Sequence, residues 1–467
     1  MSERAKRLGD VIPRPASVRQ AAGASFEIHS GTAVSAPPAL EAVAAHLGRP
    51  LSSSGEIRLA LDTSLAPEAY RLEIGADGVT LTGGSPQGVF WGVQTLRQLG
   101  PVLPAGVIED EPRYAYRGAM LDLARHFFAP DEIKAHIGQL VQFKINHLHL
   151  HLTDDQGWRL EIPGWPRLTE ISGGAGTGCD GAGPGFLTVA EYADLVAYAA
   201  ERFVTIVPEI DMPGHVNAVQ VAYPELTADG QPVAPRTDAE VGYSSLIAGK
   251  EETYAFVEAV LKTVADLTPG PYLHIGGDEC LSTPPEDYRA FLARVLPIPA
   301  SLGKRVIGWH EIATVDLPDD AIVQYWRIEA ADDAVARAAA AGRRVIVSPA
   351  DRTYLDMKYD EDTPLGLVWA GHVGVRQAYD WDPAERLPGV GEEAILGVEA
   401  PLWSETLRSL ADVQYLTFPR LPAVAEVGWS PRDGRDWASF RERLAAFGPV
   451  WDAAGISYHR SPEIDWP

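Results

Sequence analysis

The chain has 467 residues, 46% hydrophobic and 22% charged, which fits a globular protein with a sizeable core and excludes a disordered or coiled-coil chain. Its 39 basic and 64 acidic residues leave a net charge of -25, which repels phosphate backbones and anionic bilayers and argues against nucleic-acid and membrane partners. No run of about 18 apolar residues is present to span a membrane, and two cysteines, Cys179 and Cys280, make neither a disulfide framework nor a CxxC metal site.

The first 15 residues carry basic groups with no apolar run behind them, so no secretory signal is read there and the cytoplasm is the expected compartment. Residues 56–62 alternate polar and apolar, with Ile57, Leu59 and Leu61 on one face. Two further strands, 70–74 and 79–81, flank Asp77-Gly78, a hairpin signal. Residues 88–99 place Val89, Phe90, Val93, Leu96 and Leu99 at near-helical spacing. Together they predict a small α+β domain over 1–112, closed by a turn-rich boundary at 106–112.

From residue 116 short apolar runs alternate with longer amphipathic segments, the pattern of a parallel sheet with crossover helices. Strands are predicted at 118–123, 146–152, 204–209, 272–276, 305–309, 322–326, 344–348 and 395–399. Eight is the number that closes a (β/α)8 TIM barrel, here over 113–467. Helices are predicted at 131–143, 189–202, 251–267, 285–295, 330–341 and after Ser409, with a capping box from Thr188 and Glu191 and a stop at Gly342. Two connections are irregular: 310–321 is too short and Pro/Asp-rich for a full helix, and 349–394 is long and aperiodic. The Gly-rich run 173–185 reads as a mobile loop.

In such a barrel the strand C-terminal ends carry the active site. Here they read Arg125-His126, Asp154-Asp155, Glu209-Ile210-Asp211, Asp278-Glu279, Trp309-His310-Glu311, Trp326 and Glu399. Carboxylates bind hydroxyls and indoles pack on pyranose faces, so this set suits a sugar. Asp278-Glu279 follow Gly276-Gly277, which let the backbone turn and present both carboxyls, one protonated beside one ionised. His215 is a candidate proton partner. His147, His149 and His151 share one strand face. They could ligate a metal, but with no matching histidine on later strands they are expected to bond backbone or water. Cys280 is expected to be a packed, inert thiol.

YLHIGGDE, HLHLTDDQGW, VPEIDMPGH, YRGAMLDLARHFF, SPADRTYLDMKY and GVEAPLWSET together resemble the family 20 glycoside hydrolases, exo-acting β-N-acetylhexosaminidases of the bacterial, actinomycete type. The resemblance spans almost the whole chain, including the first domain. It implies substrate-assisted retention: the sugar's 2-acetamido carbonyl attacks C1, an oxazolinium forms, and water opens it. It implies Glu279 as general acid and base, Asp278 as the carboxylate on the acetamido N–H, and Tyr354 as the hydroxyl on the acetamido oxygen. Arg125 is implied as anchor for the 3- and 4-hydroxyls, and Glu405 and Asp356 as partners of the 4- and 6-hydroxyls. Trp309, Trp326 and Trp403 are implied as walls, Trp369 as the platform for the next sugar or aglycone, and Asp154 and His215 as groups tuning the acid. The implied partner is an oligosaccharide or glycoconjugate, with no cofactor or metal. Two other readings stay open at this point: a catalytically silent sugar-binding barrel, and a metal-dependent hydrolase using His149 and His151.

Overall fold

The computed structural model describes residues 7–329 and 333–467. The first domain is a six-stranded sheet with one long helix. Its strands are β1 (Ser17–Gln20), β2 (Val34–Ser35), β3 (Ile57–Leu61), β4 (Tyr70–Gly75), β5 (Gly78–Gly83) and β6 (Gly106–Asp110), in the order β1-β6-β4-β5-β3-β2. The expected hairpin is β4–β5, with Gly75 opposite Gly78, so Ala76-Asp77 forms the two-residue turn. Gly78 has φ 147, and a Cβ there would meet the Glu56 carbonyl oxygen at 2.4 Å. Helix α1 (Pro86–Leu99) is capped by Ser85, whose side chain accepts from Gln87 N–H, and buries the predicted apolar face on the sheet.

The segment 106–112, expected as a boundary turn, is corrected: Gly106–Asp110 is strand β6, antiparallel to β1 and β4. Gly106 reads locally as a breaker, but its φ of 148 is needed where a Cβ would strike Arg19 O at 2.4 Å. Asp110 then ties the two domains. It accepts from the Tyr70 hydroxyl at 2.6 Å, Lys144 Nζ at 2.8 Å and Trp429 Nε1 at 2.9 Å.

All eight predicted barrel strands form: β7 (Tyr116–Asp122), β8 (His147–His151), β9 (Thr205–Glu209), β10 (Tyr272–His274), β11 (Arg305–Trp309), β12 (Ile322–Tyr325), β13 (Arg344–Val347) and β14 (Ile395–Ala400). They are parallel, and β14 pairs with β7 to close the barrel. Strands covered on both faces bury both side-chain sets, which is why they read as apolar runs. One interior layer is apolar, made by Tyr116, Val207, Tyr272, Ile307, Ile322, Ile346 and Leu396. Further along the strands the interior is polar, with His149, Glu209, His274, Gln324 and Glu399 all fully buried.

The crossover helices α2 (Pro130–Leu140), α3 (Val189–Ala200), α4 (Glu251–Leu267), α5 (Pro285–Val295) and α6 (Asp333–Ala340) match the predicted segments, as does α7 (Leu410–Thr417) after Ser409. The predicted start of α6 at 330 lies outside the described residues. Both irregular connections are observed. A short 3-10 turn, His310–Thr314, replaces a helix after β11 and leaves a flank hollow of about 670 Å³ lined in part by Arg289, Arg337 and Arg343. The long connection after β13 is anchored by α8 (Arg420–Trp429): buried Arg420 donates from Nη1 to Met357 O at 2.6 Å and Val373 O at 3.0 Å. The Gly-rich run is pinned rather than loose. Arg159 Nη1 donates to Gly185 O at 2.9 Å, Cys179 N–H to Arg125 O at 2.8 Å, and Asp180 pairs with Arg408 at 2.6 Å. Among the described residues no helix is long and apolar enough to cross a membrane.

Candidate active site

The turn after β10 sets the site. Gly276 (φ 65) and Gly277 (φ 98) reverse the backbone, and a Cβ on Gly276 would sit 1.7 Å from Asp211 Oδ1. Gly277 N–H donates to that same oxygen at 3.0 Å. Glu279 follows with φ 47, a conformation rarely adopted by a residue with a side chain. Asp278 and Glu279 thereby face one cavity of about 260 Å³ at the C-terminal end of the barrel. Asp278 lies deeper, its side chain 10% exposed against 32% for Glu279.

All the expected site residues except Trp309 and Asp356 line this cavity: Arg125, Asp154, His215, Asp278, Glu279, Trp326, Tyr354, Trp369, Trp403 and Glu405. Trp309, expected as a wall, lies behind Trp403. It has no exposed surface and packs against Trp403 with ring centroids 5.9 Å apart, because its place on β11 points it into the barrel interior. Asp356 is also buried, and burial together with the Glu405 carboxyl raises it well above the usual carboxylate range. Ala239 and Val241 line the cavity without having been anticipated; their connection has no period to announce them.

Arg125 is clamped on several sides. Its Nη2 lies 2.9 Å from Asp154 Oδ2, its Nη1 3.3 Å from Asp122 Oδ2, its Nε donates to Gln156 Oε1 at 3.0 Å, and it stacks 4.9 Å over Trp403. Asp122 and Gln156 are supports that sequence reading missed. Asp154 Oδ1 accepts from His215 Nδ1 at 3.2 Å, and His215 Nε2 lies 3.7 Å from Asp278 Oδ2 and 3.6 Å from Glu279 Oε2. Burial would raise Asp154, but Arg125 and His215 hold it well below the usual range. Burial would lower His215, but Asp154 and Asp211 raise it well above its ordinary value. Burial and the Asp278 charge raise Glu279 to about 7, with His215 and Arg125 opposing. Burial likewise raises Asp278. Asp278 Oδ1 and Glu405 Oε2 are buried acceptors without a hydrogen-bond partner among the described residues.

The aromatic rim is continuous. Tyr354 lies 5.7 Å from Trp369 and 6.4 Å from Trp403, and Trp326 lies 5.8 Å from Trp369, all between ring centroids. Glu311 accepts from Trp326 Nε1 at 3.2 Å. Trp369 is 49% exposed and sits at the mouth. Cys280 donates its thiol to Asp278 O at 3.2 Å, and burial raises its pKa, which fits a packed, inert thiol.

The histidine strand is corrected in its partners. His149 Nδ1 faces Glu399 Oε1 and its Nε2 faces Glu209 Oε2, each at 3.0 Å; His151 lies between Glu209 and Asp154. These are carboxylates, not backbone or water, and a matching histidine does exist on a later strand, His274 of β10. His149, Glu209 and His274 bring donor atoms within 4.8 Å of one another, a spacing that could hold a metal, yet both nitrogens of His149 already face carboxylates.

Residues 114–432 match the model for the glycosyl hydrolase family 20 catalytic domain, and residues 9–111 match family 20 domain 2. The chain belongs to glycosyl hydrolase family 20. It is a glycoside hydrolase with hexosaminidase activity. It is similar to the β-N-acetylhexosaminidase of Cellulomonas fimi, 43% identical, covering 98% of this chain and 97% of that one. It also resembles the β-hexosaminidase of Streptomyces plicatus solved with its product GlcNAc (TM-score 0.96, 48% identity, 99% of each chain). The family 20 β-N-acetylhexosaminidase of Streptomyces coelicolor A3(2) is equally similar (TM-score 0.95, 48% identity, 99% of each chain).

Proposed function

We propose that the chain is a retaining exo-β-N-acetylhexosaminidase that releases terminal β-linked GlcNAc or GalNAc, with the substrate's own acetamide as nucleophile. The observation carrying this reading is the division between two adjacent carboxyls in one cavity. Glu279 is near the mouth, raised to about 7, where a leaving oxygen needs a proton. Asp278 is deeper, with an unpartnered Oδ1 available to an amide N–H. Tyr354 shares the cavity and can hold the acetamide oxygen. A loose amide is a poor nucleophile; two hydrogen bonds orient it beneath C1 and a carboxylate stabilises the developing cation. GlcNAc seen as product in the Streptomyces plicatus relative supports the sugar.

In the same reading Arg125 holds the 3- and 4-hydroxyls, and Glu405 with Asp356 holds the 4- and 6-hydroxyls. Trp326 and Trp403 enclose the ring, with Trp309 backing Trp403, and Trp369 receives the aglycone. The buried Arg125–Asp154 pair, with half-buried Glu405 beside it, forms the inner end of the cavity, which favours exo action. Residues 1–112 are taken as the accessory domain and 113–467 as the catalytic barrel. The test is to incubate the enzyme with chitobiose and with GlcNAc and GalNAc nitrophenyl glycosides and read the first product by proton NMR. The β-anomer is expected; an α-anomer first product, or no cleavage of any of them, would overturn the reading.

A pH dependence follows with a definite sign. Glu279 donates a proton, so it works in its protonated form. kcat/KM is expected to fall as pH rises through about 7. A profile flat from pH 6 to 9 would contradict Glu279 as the acid.

A further inference from the structure

Below the cavity floor, Glu209 of β9 is fully buried and surrounded by nitrogen atoms. Trp309 Nε1 donates to Oε1 at 2.9 Å, His274 Nδ1 lies 3.0 Å from Oε1, His149 Nε2 lies 3.0 Å from Oε2, and His151 Nδ1 bonds Oε2. From His151 the line continues upward. Its Nε2 bonds Asp154 Oδ2 at 2.7 Å, Asp154 Oδ1 accepts from His215 Nδ1 at 3.2 Å, and His215 Nε2 faces Glu279 Oε2 at 3.6 Å. Carboxylate and imidazole alternate from the middle of the barrel to the acid, hydrogen-bonded as far as His215 Nδ1, with His215 Nε2 in 3.6 Å contact with Glu279 at the end. Burial would lower His149 and His151, but Glu399 and Glu209 raise the first to about 9, and Glu209 and Asp154 raise the second well above its ordinary value. The hydrogen bonds along the line fix each ring's orientation through its neighbours.

We propose that Glu209 is a positioning residue for the acid, acting through His151 and Asp154 to hold the His215 ring against Asp278 and Glu279. This rests on the hexosaminidase reading above. A carboxylate is acceptor-only, and nitrogens of Trp309, His149 and His151 converge on this one, while His274 Nδ1 beside it accepts from Gly276 N–H at 3.0 Å. A glutamine in its place offers one acceptor oxygen and sets an NH2 among those nitrogens, which frees the His151 ring and slackens the line above it.

The test compares Glu209→Gln with Glu399→Gln. Glu399 has the same burial and bonds His149, Gln324 and Tyr116, but does not touch His151. For E209Q, kcat on chitobiose, whose leaving group needs a proton, is expected to fall by about tenfold or more, and kcat on the nitrophenyl glycoside by less than about threefold, with KM little changed. E399Q is expected to show equal fractional losses on both substrates. Should E209Q not fold, His151→Gln breaks the same line one step higher and is expected to give the same split. Equal losses on both substrates for E209Q or His151→Gln, or the same split in E399Q, would overturn the proposal while leaving the hexosaminidase reading intact. Wild-type enzyme inactive on both substrates would overturn that reading, and the proposal with it.

Discussion

Glu279→Gln is expected to lose about 10²- to 10⁴-fold in kcat/KM on chitobiose and far less on nitrophenyl GlcNAc. Glutamine keeps the shape of the side chain and its place at the cavity mouth, but it cannot deliver a proton. A sugar alcohol leaves poorly without one, whereas a nitrophenolate leaves readily. The pattern across leaving groups therefore identifies the role, and the size of either loss alone does not. Steady-state rates on the two substrates check it; equal losses would remove Glu279 from the acid position. On the activated substrate the second half of the reaction should then limit the rate, since the same carboxyl activates the water.

Asp278→Asn is expected to lower kcat by about 10²- to 10³-fold on both kinds of leaving group. The reason is its position rather than its acidity. Asp278 lies deep in the cavity, and the charge it would meet is the cation that develops on the acetamide nitrogen, whatever leaves from C1. Asparagine retains an acceptor oxygen but no negative charge. A second effect has a fixed sign. The Asp278 charge helps to raise Glu279, so D278N should move the alkaline limb of the rate profile below about 7. Rates on both substrates across pH 5 to 9 check both effects; an unchanged rate with an unmoved limb would take Asp278 out of the mechanism.

The barrel was legible because its strands are short apolar runs bounded by turns, and the site was legible because polar residues punctuate the ends of those runs. Gly276-Gly277 before Asp278-Glu279 announced a turn, and the structure has it. What stayed hidden was either edge structure or long-range pairing. β1 (Ser17–Gln20) is an exposed edge strand with no apolar alternation, and β6 opens on a glycine that reads as a breaker. His147, His149 and His151 were correctly placed on one face, but their partners were not. Glu209 lies 58 residues from His151, and Glu399 lies 250 from His149. Only barrel closure brings them together, and no local spacing encodes that. Trp309 shows the same limit: no local spacing announces that its N–H donates to Glu209, 100 residues away.

The central claim is that the bound sugar's own amide attacks C1. The most direct measurement is kcat/KM of the wild-type enzyme on nitrophenyl glycosides whose N-acetyl group carries none, one, two or three fluorines. Each fluorine withdraws electron density from the carbonyl oxygen and leaves the rest of the sugar unchanged. A steep fall along the series is the predicted result; a rate indifferent to fluorination would contradict it.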